Sequence, residues 1–289
     1  MREYQIITDT NSDLPEEYIK EAGLLQVPQY TLFEGVTYEG ARGIDPAYFY
    51  NKMAEGAMPQ SQAINPAVTE EEFRKILDAG KDILYISFAS TLSGSCNTAM
   101  MVAKELSEEY PDARINVVDT LAASIGEGLL VIEAVKMQKQ GKDIDEVTKW
   151  LEDHKLNLVT ELTVDDIKHL QRGGRVSKTV AVVGSLINIK PFIKVSPEGK
   201  LVADGTARGR KKSLSKLVSL VEEKMTGEWK DADTIIGIAH ANSPEDAKSL
   251  AGVIEEKFNK KVIINDINPS IGVHTGPGAI LITFFGTER

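Results

Sequence analysis

Ser90, Thr91, Ser93 and Ser95 crowd into the six residues STLSGS (90–95) around a single glycine, Gly94. Capping a helix takes one hydroxyl. Four of them beside a residue without a Cβ leave room for a polar atom to approach the backbone, and a bound oxygen is the natural occupant. A second polar cluster lies in GVHTGPGAI (272–280), where His274 and Thr275 stand among three glycines. So glycine-rich a setting suits an imidazole that touches a ligand as well as one satisfied in a core. The remaining chemistry is basic. QRGGRV (171–176) and ARGRKK (207–212) concentrate Arg172, Arg175, Arg208, Arg210, Lys211 and Lys212 beside glycines. Such runs ordinarily form a solvated face, and arginine forks also suit a phosphate or a carboxylate.

These groups bound the reactions open to the chain. A hydrolase could pair Ser93 with His274, but no G-x-S-x-G elbow surrounds the serine. Gly126 and Gly128 begin a dinucleotide fingerprint that Val131 breaks, and there is no P-loop. Four histidines without H-E-x-x-H spacing argue against a metal site. The one cysteine, Cys96, has no activating base near it in sequence and reads as a small buried hydrophobe. Lys plus Arg number 33 against 43 Asp plus Glu, and the net charge of −10 speaks against a broad nucleic-acid-binding face. Any anion is held locally.

The elements that must position these residues alternate. Strand-like runs occur at YQIIT (4–8), DILYISFA (82–89), INVVD (115–119), TIIGIAH (234–240) and KVIINDI (261–267). Between them lie helical patterns at 12–23, 97–110, 126–141 and 243–258, the first with Ser12 or Asp13 as N-cap and Pro15 in its first turn. The pattern predicts α/β layering with a sheet that is at least partly parallel and covered on both faces. Ligands on such sheets collect outside the carboxyl ends of strands. TDTNSDLP, STLSGS, DTLAASIGEG and HANSPED all have that placement. The texture changes near residue 156, which predicts two domains: 1–155, and a 156–289 domain of α+β character with a mixed sheet. No apolar run approaches the roughly 20 residues of a membrane helix, and MREYQIITDT has no signal-peptide pattern, so a cytoplasmic protein is expected.

TDTNSDLP, SFASTLSGSCNTA, DTLAASIGEG, LQRGGRVS, INIKPFIKV and GVHTGPGAI together, in this order and spacing, resemble the DegV family, whose members bind fatty acids. The likeness covers essentially the whole chain. It implies an amino-terminal Rossmann-like domain, a carboxyl-terminal α/β domain, and an apolar tunnel for a long-chain fatty acid between or beside them. The family's head-group contacts carry over to Ser61 in PQSQAINP, to Ser93 with Gly94, and to His274 with Thr275; Gln62 stands where the family has a second hydroxyl. The resemblance also implies a carrier that is not catalytic alone. The partner that the resemblance implies is a fatty acid kinase that makes acyl phosphate, with Arg172, Arg175 and Arg208 as candidates for phosphate or partner contact. It implies no cofactor besides the lipid and at most transient membrane contact.

Overall fold

Near-continuous apolar runs become buried strands here, and the helices between them cover the sheets. In the computed structural model, which describes residues 2–40, 43–176, 188–287 and 289, the first half runs β1 (Tyr4–Asp9), α1 (Glu16–Glu21), β2 (Leu25–Val27), β3 (Tyr30–Phe33), β4 (Val36–Glu39), α2 (Pro46–Ala54), β5 (Gln60–Gln62), α3 (Pro66–Asp78), β6 (Asp82–Ser87), α4 (Ser95–Glu109), β7 (Ile115–Asp119), α5 (Ile125–Lys139) and α6 (Ile144–His154). The second half runs β8 (Leu158–Thr163), α7 (Lys168–Arg172), β9 (Ile189–Val195), β10 (Leu201–Arg208), α8 (Arg210–Lys224), β11 (Ile236–His240), α9 (Pro244–Phe258), β12 (Val262–Asp266), α10 (Pro269–Thr275) and β13 (Ile280–Phe285).

The first sheet is parallel, in the order β2-β1-β6-β7, and every residue of its inner strand β6 is buried, as covering both faces demands. The second is mixed, in the order β10-β9-β8-β13-β11-β12, with β11 and β12 parallel and the other pairs antiparallel. The fold is therefore α/β with two sheet-centred domains. A third, antiparallel sheet, β4-β3-β5, pairs Thr31 with Ser61. Sequence periodicity does not reveal it, because β5 is three polar residues, Gln60–Gln62, too short for alternation to register.

Helix α5 is apolar around its circumference and packs against strands of both large sheets. A Cβ on Gly126 would lie 3.2 Å from Thr160 Oγ1, and one on Gly128 would lie 2.5 Å from the Ser12 carbonyl. The two glycines are thus spent on close packing. The start of α1 differs from expectation: its N-cap is Pro15, while Ser12 ends a 3-10 turn, Thr10–Ser12, and Asp13 adopts φ 48°. Both are buried and face inward. Among the described residues no helix is long and apolar enough to cross a membrane.

Candidate functional site

A cavity of about 140 Å³, open at a mouth, lies between the two large sheets. Its apolar wall comes from both: Phe88, Leu92 and Ala123 on one side, and Leu162, Val195, Leu201, Ile271 and Leu281 on the other. Ser61, Ser93, Gly94, Arg175, His274 and Thr275 supply polar lining.

Strand β5 and the last turn of α10 bring Ser61 Oγ to 2.7 Å from His274 Nε2. The other ring nitrogen, Nδ1, is buried without a hydrogen-bond partner. A Cβ on Gly173 would stand 2.1 Å from that nitrogen, so this glycine is what admits the ring, while its neighbour Gly174 carries φ +72° in the turn after α7. Burial, then the positive charge of Arg175, pulls the imidazole down to about 4. It is neutral at neutral pH.

The hydroxyls of STLSGS divide their work. Ser93 Oγ lies 2.9 Å from Ser95 Oγ, which accepts from the Ile64 N–H at 3.3 Å and so ties this loop to the segment after β5. Thr91 Oγ1 donates to the Gly199 carbonyl at 2.6 Å, joining the two domains. Asp119 Oδ1 receives the Ser90 N–H. Gly94 is the N-cap of α4, makes no side-chain cap, and has open space where a Cβ would stand. Thr275 is buried with its Oγ1 unpartnered. The Ser93–His274 dyad considered for a hydrolase does not form: His274 pairs with Ser61 and Ser93 with Ser95, because α10 packs against β5.

Of the arginines, Arg175 reaches the cavity, its Nε donating to the Leu92 carbonyl at 3.2 Å. Burial lowers its pKa. Arg172 is exposed and donates to His169 Nδ1 at 2.8 Å, and Arg208 is exposed at the end of β10; neither lines the cavity. Arg210 is committed to Asp246 at 2.7 Å and to the Gly278 carbonyl at 2.7 Å.

Asn11, Gln29, Ser124 and Ser270 also line the cavity, and sequence reasoning singled out none of them. Behind them sit buried acids. Asp9 accepts from Asn11 N (3.0 Å), Gln29 Nε2 (3.1 Å) and Phe88 N (3.0 Å), and burial outweighs these bonds to push it up to about 6. Glu127 accepts from the Thr8 hydroxyl, and burial followed by the charge of Asp9 raises it well above the usual range. TDTNSDLP was legible as a polar loop; that two of its carboxyls hold other loops in place needed the partners to be seen. Cys96 is buried, and burial pushes its thiol up to about 12. Among the described residues no group of three or more His, Cys, Asp or Glu could hold a metal ion.

The family described as "Uncharacterised protein, DegV family" matches residues 3–287. The chain belongs to the DegV family. A DegV domain-containing protein of Clostridium perfringens is 40% identical over 294 residues, covering 100% of this chain and 99% of the relative. Among solved structures, a DegV family protein of Thermus thermophilus described as binding fatty acid is 27% identical with a TM-score of 0.87, covering 99% of this chain and 100% of the other. A fatty acid binding DegV family protein of Streptococcus agalactiae is 25% identical with a TM-score of 0.85, each chain covered in full at 100%. The DegV fold places the cavity where both large sheets contribute a wall, and its polar groups come from β5, α10 and the loop before α4.

Proposed function

We propose that this protein binds one long-chain fatty acid, its tail against the apolar wall and its carboxylate at Ser61, Ser93, His274 and Thr275. The observation that carries this reading is a single cavity that joins a broad apolar wall to hydroxyls and a neutral imidazole. The DegV relatives described as fatty-acid-binding support it. Burying about a dozen methylenes at ~0.8 kcal/mol each contributes roughly 10 kcal/mol gross, against about 1 kcal/mol for each neutral hydrogen bond to the head. Ordering and association costs lower the net figure. The tail supplies affinity and the polar cluster supplies orientation. In this arrangement His274 Nε2–H donates to Ser61 Oγ, which frees the Ser61 hydroxyl proton for a carboxylate oxygen, and Arg175 supplies positive charge from the same wall.

The finer reading is a carrier, not catalytic alone, that presents the head group to a partner kinase for acyl phosphate formation. Exposure of Gly94 at the polar lining and of Arg172 on the adjoining α7 turn supports such presentation. The Ser61–His274 contact favours a second reading, an esterase or thioesterase with Ser61 as nucleophile. Against it, an imidazole at about 4 is a weak base, and its Nδ1 lacks an orienting carboxylate.

Mass spectrometry of lipid extracted from the purified protein tests the first reading. A co-purifying fatty acid is expected, with Ser61→Ala and Ser93→Ala each weakening retention about five-fold, the equivalent of one neutral hydrogen bond. Protein that comes lipid-free and takes up no labelled fatty acid overturns it. Turnover of a p-nitrophenyl ester that Ser61→Ala abolishes selects the second.

A further inference from the structure

Thr10, Asn11 and Asp13 reach from the loop after β1 to α10, the helix that carries His274. Asp13 is 4% exposed. One of its carboxylate oxygens accepts from the Asn268 N–H at 2.9 Å and the other from the Ser124 hydroxyl. Its carbonyl accepts from the Asn265 amide at 3.0 Å, the Thr10 carbonyl from the Asn268 amide at 3.1 Å, and Asn11 Oδ1 from the Ser270 hydroxyl at 2.5 Å. Asn268 is the N-cap of α10, its side chain receiving the Ser270 N–H.

This helix has seven residues, too few to hold its own register in water. Ser270 and His274 are four apart and therefore share a face. Where the 10–13 turn grips the start of α10 fixes where the imidazole meets β5. The other oxygen of Asp13 reaches the opposite wall, since Ser124 lines the cavity at the start of α5 with φ 58° and ψ −143°. Such a conformation is costly for a residue other than glycine and persists only when its surroundings enforce it. Burial, together with the nearby charges of Asp9 and Asp266, pushes Asp13 well above the usual carboxylate range, while its two donors pull the other way.

We propose that Asp13 is a positioning residue for the ligand cavity: its carboxylate clamps Ser124 in one wall to the N-cap of the helix bearing His274 in the other, and so sets the Ser61–His274 geometry. The consequence for affinity rests on the fatty-acid reading; the consequence for the imidazole does not.

Glycine and asparagine both accept the left-handed backbone at position 13. Asp13→Gly therefore deletes the carboxylate without backbone strain, whereas Asp13→Asn keeps an oxygen for the Asn268 N–H and offers Ser124 an amide donor. The His274 Nε2 resonance in the ligand-free, full-length protein, and uptake of a fluorescent palmitate analogue, are the two readouts. Asp13→Gly is expected to move the resonance and weaken uptake about ten-fold, and Asp13→Asn to restore uptake to within roughly two-fold of wild type. A wild-type resonance in folded Asp13→Gly overturns the proposal. So does an equal shift in Glu161→Gln, which removes a buried carboxylate paired with Lys224 on the face of β8 turned away from the cavity. Should Asp13→Gly fail to fold, Ser124→Ala, which removes the hydroxyl that the Asp13 carboxylate accepts from, shifts the resonance in the same sense, and an unmoved resonance there is equally fatal. Wild-type protein that ignores the palmitate analogue counts against the fatty-acid reading, while the imidazole comparison still decides the role of Asp13.

Discussion

His274 concentrates the chemistry of the cavity, and its burial has a measurable consequence. In the unfolded chain the ring takes up a proton near 6.5; in the folded one it does so only near about 4. Between those values the unfolded state binds more protons, so this contribution to stability is full above 6.5 and is lost as pH falls toward 4. Wild type should lose roughly 3 kcal/mol relative to His274→Gln across that window, read by denaturant unfolding at each pH; parallel curves would contradict the burial of the ring. Asp9 acts with the opposite sign. Raised to about 6, it contributes most below its ordinary 3.8 and progressively less as pH rises through 6. The comparison between variant and wild type, rather than either curve, is therefore the measurement. At this scale the sequence was half readable. A hydroxyl-rich loop announces itself, yet only Ser93 of its four hydroxyls lines the cavity. Ser95 and Thr91 serve Ile64 and Gly199, 31 and 108 residues away, and no local pattern encodes partners so distant.

Elements explain the paired glycines of LQRGGRV. Gly173→Ala would drive a methyl group into the imidazole, with a loss of about 1–3 kcal/mol typical of overpacking and a fall in lipid retention of about ten-fold. Gly174→Ala meets open space but must adopt φ +72°, costing about 1–2 kcal/mol and leaving retention unchanged. Thermal unfolding and lipid retention measured on both variants separate the two roles; equal retention would mean that the ring does not depend on Gly173. Strands with long apolar runs, β6 above all, were legible because a buried parallel strand has no polar face to hide. The sheet that carries Ser61 was not. Its strands are three or four residues long, and pairing rather than composition defines them.

For the whole molecule, the division into a parallel and a mixed sheet was readable from the change in texture of the chain, but the ties between the halves were not. Arg289 is one such tie. Its guanidinium donates to the carbonyls of Leu121 (2.6 Å), Leu158 (2.8 Å), Lys155 (2.9 Å) and Ser196 (3.2 Å), joining the loop after β7 to the exit of β9. Arg289→Ala should cost about 3 kcal/mol, as charged hydrogen bonds to half-buried carbonyls imply, and lower the melting temperature by roughly 5 °C or more. An unchanged melting curve would assign the clamp no energetic role.

Helix α5 lends its side chains to the interiors of both sheets. Neither half, then, owns a complete hydrophobic filling. Severing the polypeptide anywhere between them would hand that shared filling to one fragment and leave the other with a bare oily flank. Evolutionary exchange of either half for a foreign one would have to reproduce the same helix, glycines included.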